Sequence, residues 1–139
     1  MKRITLFLFL MSTMVNSQKL AVYDLTCEHR ANPIGIESKR PRLSWKIKAS
    51  ERNTVQNRYE IRVSETPSFN KGILWESGKI NSSESNLVAY DGPALESTKR
   101  YYWQVKIWDN NKAKSAWSEV AFWEMGILNK NEWKAKWIE

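Results

Sequence analysis

Few residues in this sequence are of the kind that do chemistry. The only histidine, His29, stands two residues after the only cysteine, Cys27. A thiol beside an imidazole can act as a nucleophile with its base, but that work needs a third group to orient the imidazole. No spacing in the chain marks one. Two donors also fall short of the set that a zinc site takes. No cofactor and no metal is therefore expected. The five glycines form no phosphate-cradling loop. Five acids, Glu76, Asp91, Asp109, Glu119 and Glu124, fall at expected strand ends or turns. Glycoside hydrolysis needs two carboxyls about 5–5.5 Å apart for retention, or roughly 6.5–9.5 Å for inversion. Sequence separation places no two of these acids at either distance. A solvated edge carboxylate is the expectation for each, so this chain alone is expected to hydrolyse no glycoside.

The aromatic residues offer binding rather than catalysis. Tryptophan is over-represented at eight residues, five of which lie from Trp108 onward. Such rings bury large areas and are enriched at interfaces. Trp108 and Trp117 are the candidates for an interdomain or ligand contact, because sugars stack on exposed rings. Trp117-Ser118 is a Trp-Ser pair of the kind whose indole stacks on basic stems, and Lys112 and Lys114 are the nearby cations. Each such stack contributes about 0.5–1 kcal/mol at an exposed site. Structural stacking is the favoured reading. A stand-alone secreted module that binds carbohydrate or a surface is the alternative function. Asn81-Ser82-Ser83 fits a glycosylation sequon, a match that chance supplies often.

These rings must be positioned by strands. Residues 100–108 alternate Tyr101, Trp103, Val105 and Ile107 on one face with Tyr102, Gln104, Lys106 and Trp108 on the other, the period of a β-strand. The first face is pure core. The second, with rings and a charged stem, suits a covered surface. Leu95, Thr98 and Tyr101 lead into this strand at the spacing of a tyrosine corner, where the phenol bonds back to nearby backbone. Further strands are expected at 20–27, 42–48, 58–63, 73–76, 87–90 and 120–125. Residues 28–36, punctuated by Pro33 and Gly35, read as an irregular loop, and 66–72 as a turn or a single helical turn. Seven short strands, with turn signals between them and no amphipathic helix, predict an all-β, seven-stranded antiparallel sandwich. The Cys…Trp…Cys framework of antibody domains is missing, and the tyrosine-corner spacing favours the fibronectin type III variety of the immunoglobulin-like fold. Cys27 has no partner in the chain and is expected to be buried.

The first residues stand apart. Lys2 and Arg3 precede the apolar run 4–11, and Val15-Asn16-Ser17 fits a cleavage site. This predicts a Sec signal peptide over residues 1–17, with a retained N-terminal anchor as the alternative. The mature chain is then secreted or periplasmic in a bacterium, with no membrane partner after cleavage. The formal charge is +7, but the basic residues are interleaved with acids, and export argues against a nucleic-acid partner.

Several segments together resemble the N-terminal domain of bacterial α-L-rhamnosidases. They are Leu25-x-Cys27-Glu28, Asn32-Pro33-Ile34-Gly35-Ile36, Pro41-Arg42-Leu43-Ser44-Trp45, Leu74-Trp75-Glu76-Ser77-Gly78-Lys79 and Tyr101-Tyr102-Trp103-Gln104-Val105. Trp108-Asp109, Trp117-Ser118-Glu119, Phe122-Trp123-Glu124-Met125-Gly126 and Trp133-Lys134-Ala135-Lys136-Trp137-Ile138 complete the series. Their order and spacing, from about Leu20 to Ile138, carry the likeness. The resemblance implies a non-catalytic sandwich that precedes further β-domains and an (α/α)₆ barrel. In the family that barrel holds the acids that release terminal α-L-rhamnose with inversion. It is not in this sequence, so no catalytic residue is carried over. The partners implied are the following domains of the same enzyme.

The domain is expected to span 18–126, with 127–139 as a linker and the start of a following domain. Trp133, Trp137 and Ile138 then have no place in the sandwich core and are expected to dock onto that following domain. The alternation of Trp133, Ala135 and Trp137 suits an extended segment better than a helix.

Overall fold

The computed structural model describes residues 20–135. Strands β1 (Leu20–Cys27), β2 (Arg42–Ala49) and β3 (Gln56–Ser64) are followed by the short β4 (Ile73–Glu76), β5 (Ile80–Asn81) and β6 (Val88–Ala89). Then come β7 (Arg100–Asp109) and β8 (Ala121–Glu124). The seven expected strands are present, and β5 is an eighth. Its two residues pair with Arg58 and Tyr59 of β3, too short a run to leave a period in the sequence.

The strands form two antiparallel sheets. One has the order β1-β2-β6. The other has the order β4-β3-β7-β8, with β5 also on β3. Alternation decides which side chains lie between them. From β7, Tyr101, Trp103, Val105 and Ile107 are buried; Tyr59, Ile61 and Val63 meet them from β3, and Leu43 and Trp45 from β2. The rings interlock edge to face. Trp45 meets Tyr59 at 5.3 Å and Tyr90 meets Trp123 at 5.9 Å, the offset geometry that aromatic quadrupoles prefer. The indole N–H groups of Trp103 and Trp123 find no acceptor among the described residues, so packing alone carries their burial. Trp45 differs: its Nε1 donates to Gln56 Oε1 at 2.9 Å, and Gln56 donates in turn to the carbonyls of Ser82 and Glu84.

The tyrosine corner forms as the spacing predicts. The Tyr101 hydroxyl accepts from the Glu96 amide at 2.9 Å, and Leu95 is buried beneath. Thr98 turns the chain at φ 58, and its amide donates to the Gly126 carbonyl. The loop after β1 is more ordered than a reading of it as irregular allows. Ile36 pairs with Met125 in a parallel bridge. Pro33 O accepts from the Glu124 amide, Ile36 N donates to Glu124 O, and Asn32 Oδ1 accepts from the Phe122 amide. Segment 32–36 is thus a strap along the outer edge of β8.

Candidate functional site

Cys27 and His29 do not converge. They belong to a tight turn in which Cys27 and Arg30 exchange both backbone hydrogen bonds, with Glu28 and His29 at φ 47 and 66. Cys27 is buried and His29 exposed. Burial, helped by the charge of Glu28, pushes the Cys27 thiol up to about 12, so no thiolate nucleophile forms near neutrality. Glu28 itself makes a fork with Arg42, at 2.7 Å to Nη2, and accepts from the Arg42 amide. Hydrogen bonding to that guanidinium holds its carboxyl below the usual range.

Of the five candidate carboxylates, three are engaged by other groups of the fold. Asp109 is buried and accepts from the amides of Asn111 and Ala113, closing the turn after β7. Asp91 pairs with Arg40, and Glu124 pairs with Arg100 at 2.8 Å. Glu76 and Glu119 are exposed. Among the described residues, no group of three or more His, Cys, Asp and Glu side chains could hold a metal ion.

Trp108 and Trp117 are brought together on the outer face of the larger sheet. The cations stacked on Trp117 are not Lys112 and Lys114, as their nearness in sequence suggests, but Arg62 of β3 and Lys106 of β7. Arg62 lies 4.5 Å from the Phe69 ring and 4.2 Å from that of Trp117. Lys106 lies 4.1 Å from Trp117 and 5.3 Å from Trp108, which Lys79 also approaches at 5.3 Å. The reason is strand register. Arg62 stands opposite Gln104 in the β3–β7 pair, and Gln104 and Lys106 point to the same face. Both stems therefore rise beside each other, whereas Lys112 and Lys114 sit beyond the end of β7. Side-chain bonds fix the stack further. Gln104 Oε1 accepts from Arg62, and Lys106 pairs with Glu60 at 3.1 Å.

The segment that delivers Trp117 is held by two serines. Ser115 and Ser118 are both buried; each donates its amide to a β7 carbonyl, and each hydroxyl accepts a β7 amide. Their three-residue spacing is the repeat of a polyproline II helix, in which every third residue faces the same way. Trp117 falls between them and points elsewhere, onto the cation stems.

Two other places are concave. A seam between β4–β5 and β6 encloses about 370 Å³, with Tyr59, Ile61, Trp75 and Val88 inside and Arg40, Ser77, Glu84 and Asp91 among its polar lining. Nothing in the sequence pattern distinguishes Tyr59 from an ordinary core residue. The second place is where the chain leaves the sandwich. Leu128 packs against the core and its amide donates to Ser97 Oγ, so packing runs past Gly126. One 3-10 turn comes next (Lys130–Glu132) and ends at Trp133, whose backbone is extended. Trp133 is 64% exposed and borders a shallow cleft with Glu37, Ile127 and Leu128. Trp137, Ile138 and the expected signal peptide lie outside the described residues.

Comparison with known proteins gives this arrangement a family. Residues 22–129 match the family described as Rha78A-like, N-terminal immunoglobulin domain. The chain is 37% identical over 120 residues to an α-L-rhamnosidase of Streptomyces avermitilis, covering 86% of this chain and 12% of that protein. It is 42% identical over 115 residues to an α-L-rhamnosidase of Formosa agariphila, covering 78% and 12%. Its fold superposes, with a TM-score of 0.81 and 36% identity, on the crystal structure of the Streptomyces avermitilis α-L-rhamnosidase complexed with L-rhamnose, covering 86% of this chain and 12% of that one. The chain thus spans about 12% of the length of these curated relatives.

Proposed function

Because the chain belongs to the family of Rha78A-like N-terminal immunoglobulin domains, we propose that it is the non-catalytic N-terminal accessory domain of an exported α-L-rhamnosidase. The observation that carries this reading is the match of nearly the whole described chain to about one eighth of much longer enzymes. The acid pair that cleaves the glycoside is supplied by later domains. The role of this domain is mechanical: a rigid sandwich against which those domains pack. The basic n-region and apolar run before residue 18 support export through the Sec route.

The docking surface is the pole where the chain leaves. Trp133 is a large ring left in solvent beside Ile127 and Leu128, and fully burying a side chain of this kind is favourable by about 1.5–3 kcal/mol. Trp133, with Trp137 and Ile138 beyond it, is the anchor for the next domain. Trp108 and Trp117, stacked on cations, brace the sheet instead of binding ligand.

The test is a chimera in which this domain replaces its counterpart in the Streptomyces avermitilis enzyme. Hydrolysis of an aryl α-L-rhamnoside is expected to persist in the chimera and to be absent from the isolated chain. Trp133→Ala is expected to lower the melting temperature of the chimera. In the isolated domain it should change stability by no more than about 0.5 kcal/mol, as for other exposed substitutions. An equal loss in both settings would place Trp133 in the sandwich itself. Rhamnoside turnover by the isolated chain, abolished by mutating one of its residues, would overturn the accessory role.

A further inference from the structure

The outer tryptophans are occupied by cations, but the seam beside β6 contains a hydroxyl that no other side chain or backbone group of the described residues engages. Tyr59 is only 7% exposed. Among the described residues its hydroxyl makes no hydrogen bond. The hydroxyl oxygen is not sealed as the indole nitrogens of Trp103 and Trp123 are; it opens to the seam, whereas the other two buried tyrosines spend theirs inside the fold: Tyr90 donates to the Pro93 carbonyl, and Tyr101 accepts from the Glu96 amide. The Tyr59 side chain lines the seam cavity instead. Burial, with the charge of Glu84 added, raises its pKa above the ordinary phenol value, so the hydroxyl keeps its proton and stays a donor.

We propose that this seam is a binding site for a single neutral sugar ring. Its volume of about 370 Å³ lies at the small end of the roughly 300–1,000 Å³ typical of ligand sites, which suits one ring rather than an extended chain. The half-buried Trp75 offers apolar surface for the C–H face of a pyranose. Gly92 keeps the Trp75 side open-backed and tight, since a Cβ there would stand 2.7 Å from Trp75 Cγ and 2.3 Å from the Tyr90 hydroxyl. Tyr59 and Glu84 provide a donor and an acceptor for ring hydroxyls. At the mouth Arg40 is already fixed, donating to the Tyr90 carbonyl and pairing with Asp91. An apolar ligand would strip water from Arg40, Asp91 and Glu84 without replacing its bonds. An anion would meet two carboxylates. A neutral polyol satisfies all three groups. The site stands on its own geometry and does not depend on which enzyme the domain belongs to.

The experiment is a titration of the mature chain with L-rhamnose, D-galactose and D-glucose, followed by amide chemical shifts. Saturable shifts centred on Trp75, Ser77 and Glu84 are expected with at least one of the three. Tyr59→Phe, which keeps the ring and the fold, is expected to weaken that binding about two- to tenfold, the worth of one hydrogen bond. Glu84→Gln, at an exposed position, should weaken it as well, and Trp117→Ala should leave it unchanged. The proposal fails if no sugar gives saturable shifts, if the shifts cluster on Trp108 and Trp117, or if both Tyr59→Phe and Glu84→Gln bind like the parent chain.

Discussion

On one side of β7, Tyr101, Trp103, Val105 and Ile107 are sealed between the sheets with essentially no exposure. On the other side, Lys106 and Trp108 stand half-buried in a stack of alternating rings and cations that runs from Phe69 through Arg62, Trp117 and Lys106 to Trp108. The inner face is held by removal of apolar area from water, which is non-directional and large. Among the described residues, the outer face has no second sheet above it. It is held by contacts that are individually small, directional and dependent on strand register. One strand thus shows two ways of immobilising tryptophan. Only the second uses charged side chains, and it holds large rings on a sheet face that the described residues leave without a second sheet.

Three substitutions probe that contrast. Trp103→Ala removes the centre of the inner face and is expected to destabilise the domain by about 3–5 kcal/mol, as for other buried aromatic truncations. Urea unfolding of the purified chain measures this, and a loss near that of a surface change would mean the core can collapse around the gap. Trp117→Ala breaks two ring–cation contacts on the outer face, each worth about 0.5–1 kcal/mol, so about 1–2 kcal/mol in total is expected by the same measurement. If Trp117→Ala equals Trp103→Ala in cost, the two faces are not held differently. Arg62→Lys keeps the charge but loses the planar guanidinium that stacks on Phe69 and Trp117 and forks onto Gln104. Its expected cost is the smallest, about 0.5 kcal/mol. Full retention of stability would show that charge alone suffices in the stack.

The sequence announces the inner face more clearly than the outer. The period-two run from Tyr101 to Ile107 and the spacing of Leu95, Thr98 and Tyr101 are local patterns, and both appear in the fold as read. The Trp-Ser pair is also legible, but its partners are not. Lys112 and Lys114 are near in sequence, while Arg62 is brought to Trp117 by the pairing of β3 with β7, which no local pattern encodes. Residues 32–36 look irregular because Pro33 and Gly35 interrupt any period, yet three backbone groups and one Asn side chain in that segment are bonded to β8 and its flank. Tyr59 is visible as an inward residue of a strand. That its hydroxyl opens into a seam depends on where two sheets fail to meet, which is a property of their packing.

The strap formed by residues 32–36 bears on the solubility of the domain. β8 is the last strand of its sheet, and a bare edge is a template for another chain to pair with. Here the amides of Phe122 and Glu124 and the carbonyl of Glu124 are already taken by Asn32, Pro33 and Ile36. The strap does not pass the problem outward, because Pro33 has no N–H to offer and Gly35 turns at φ 77. Growth of the sheet therefore stops one short segment beyond β8, and edge-to-edge polymerisation from this side is blocked by a stretch that does not itself read as a strand.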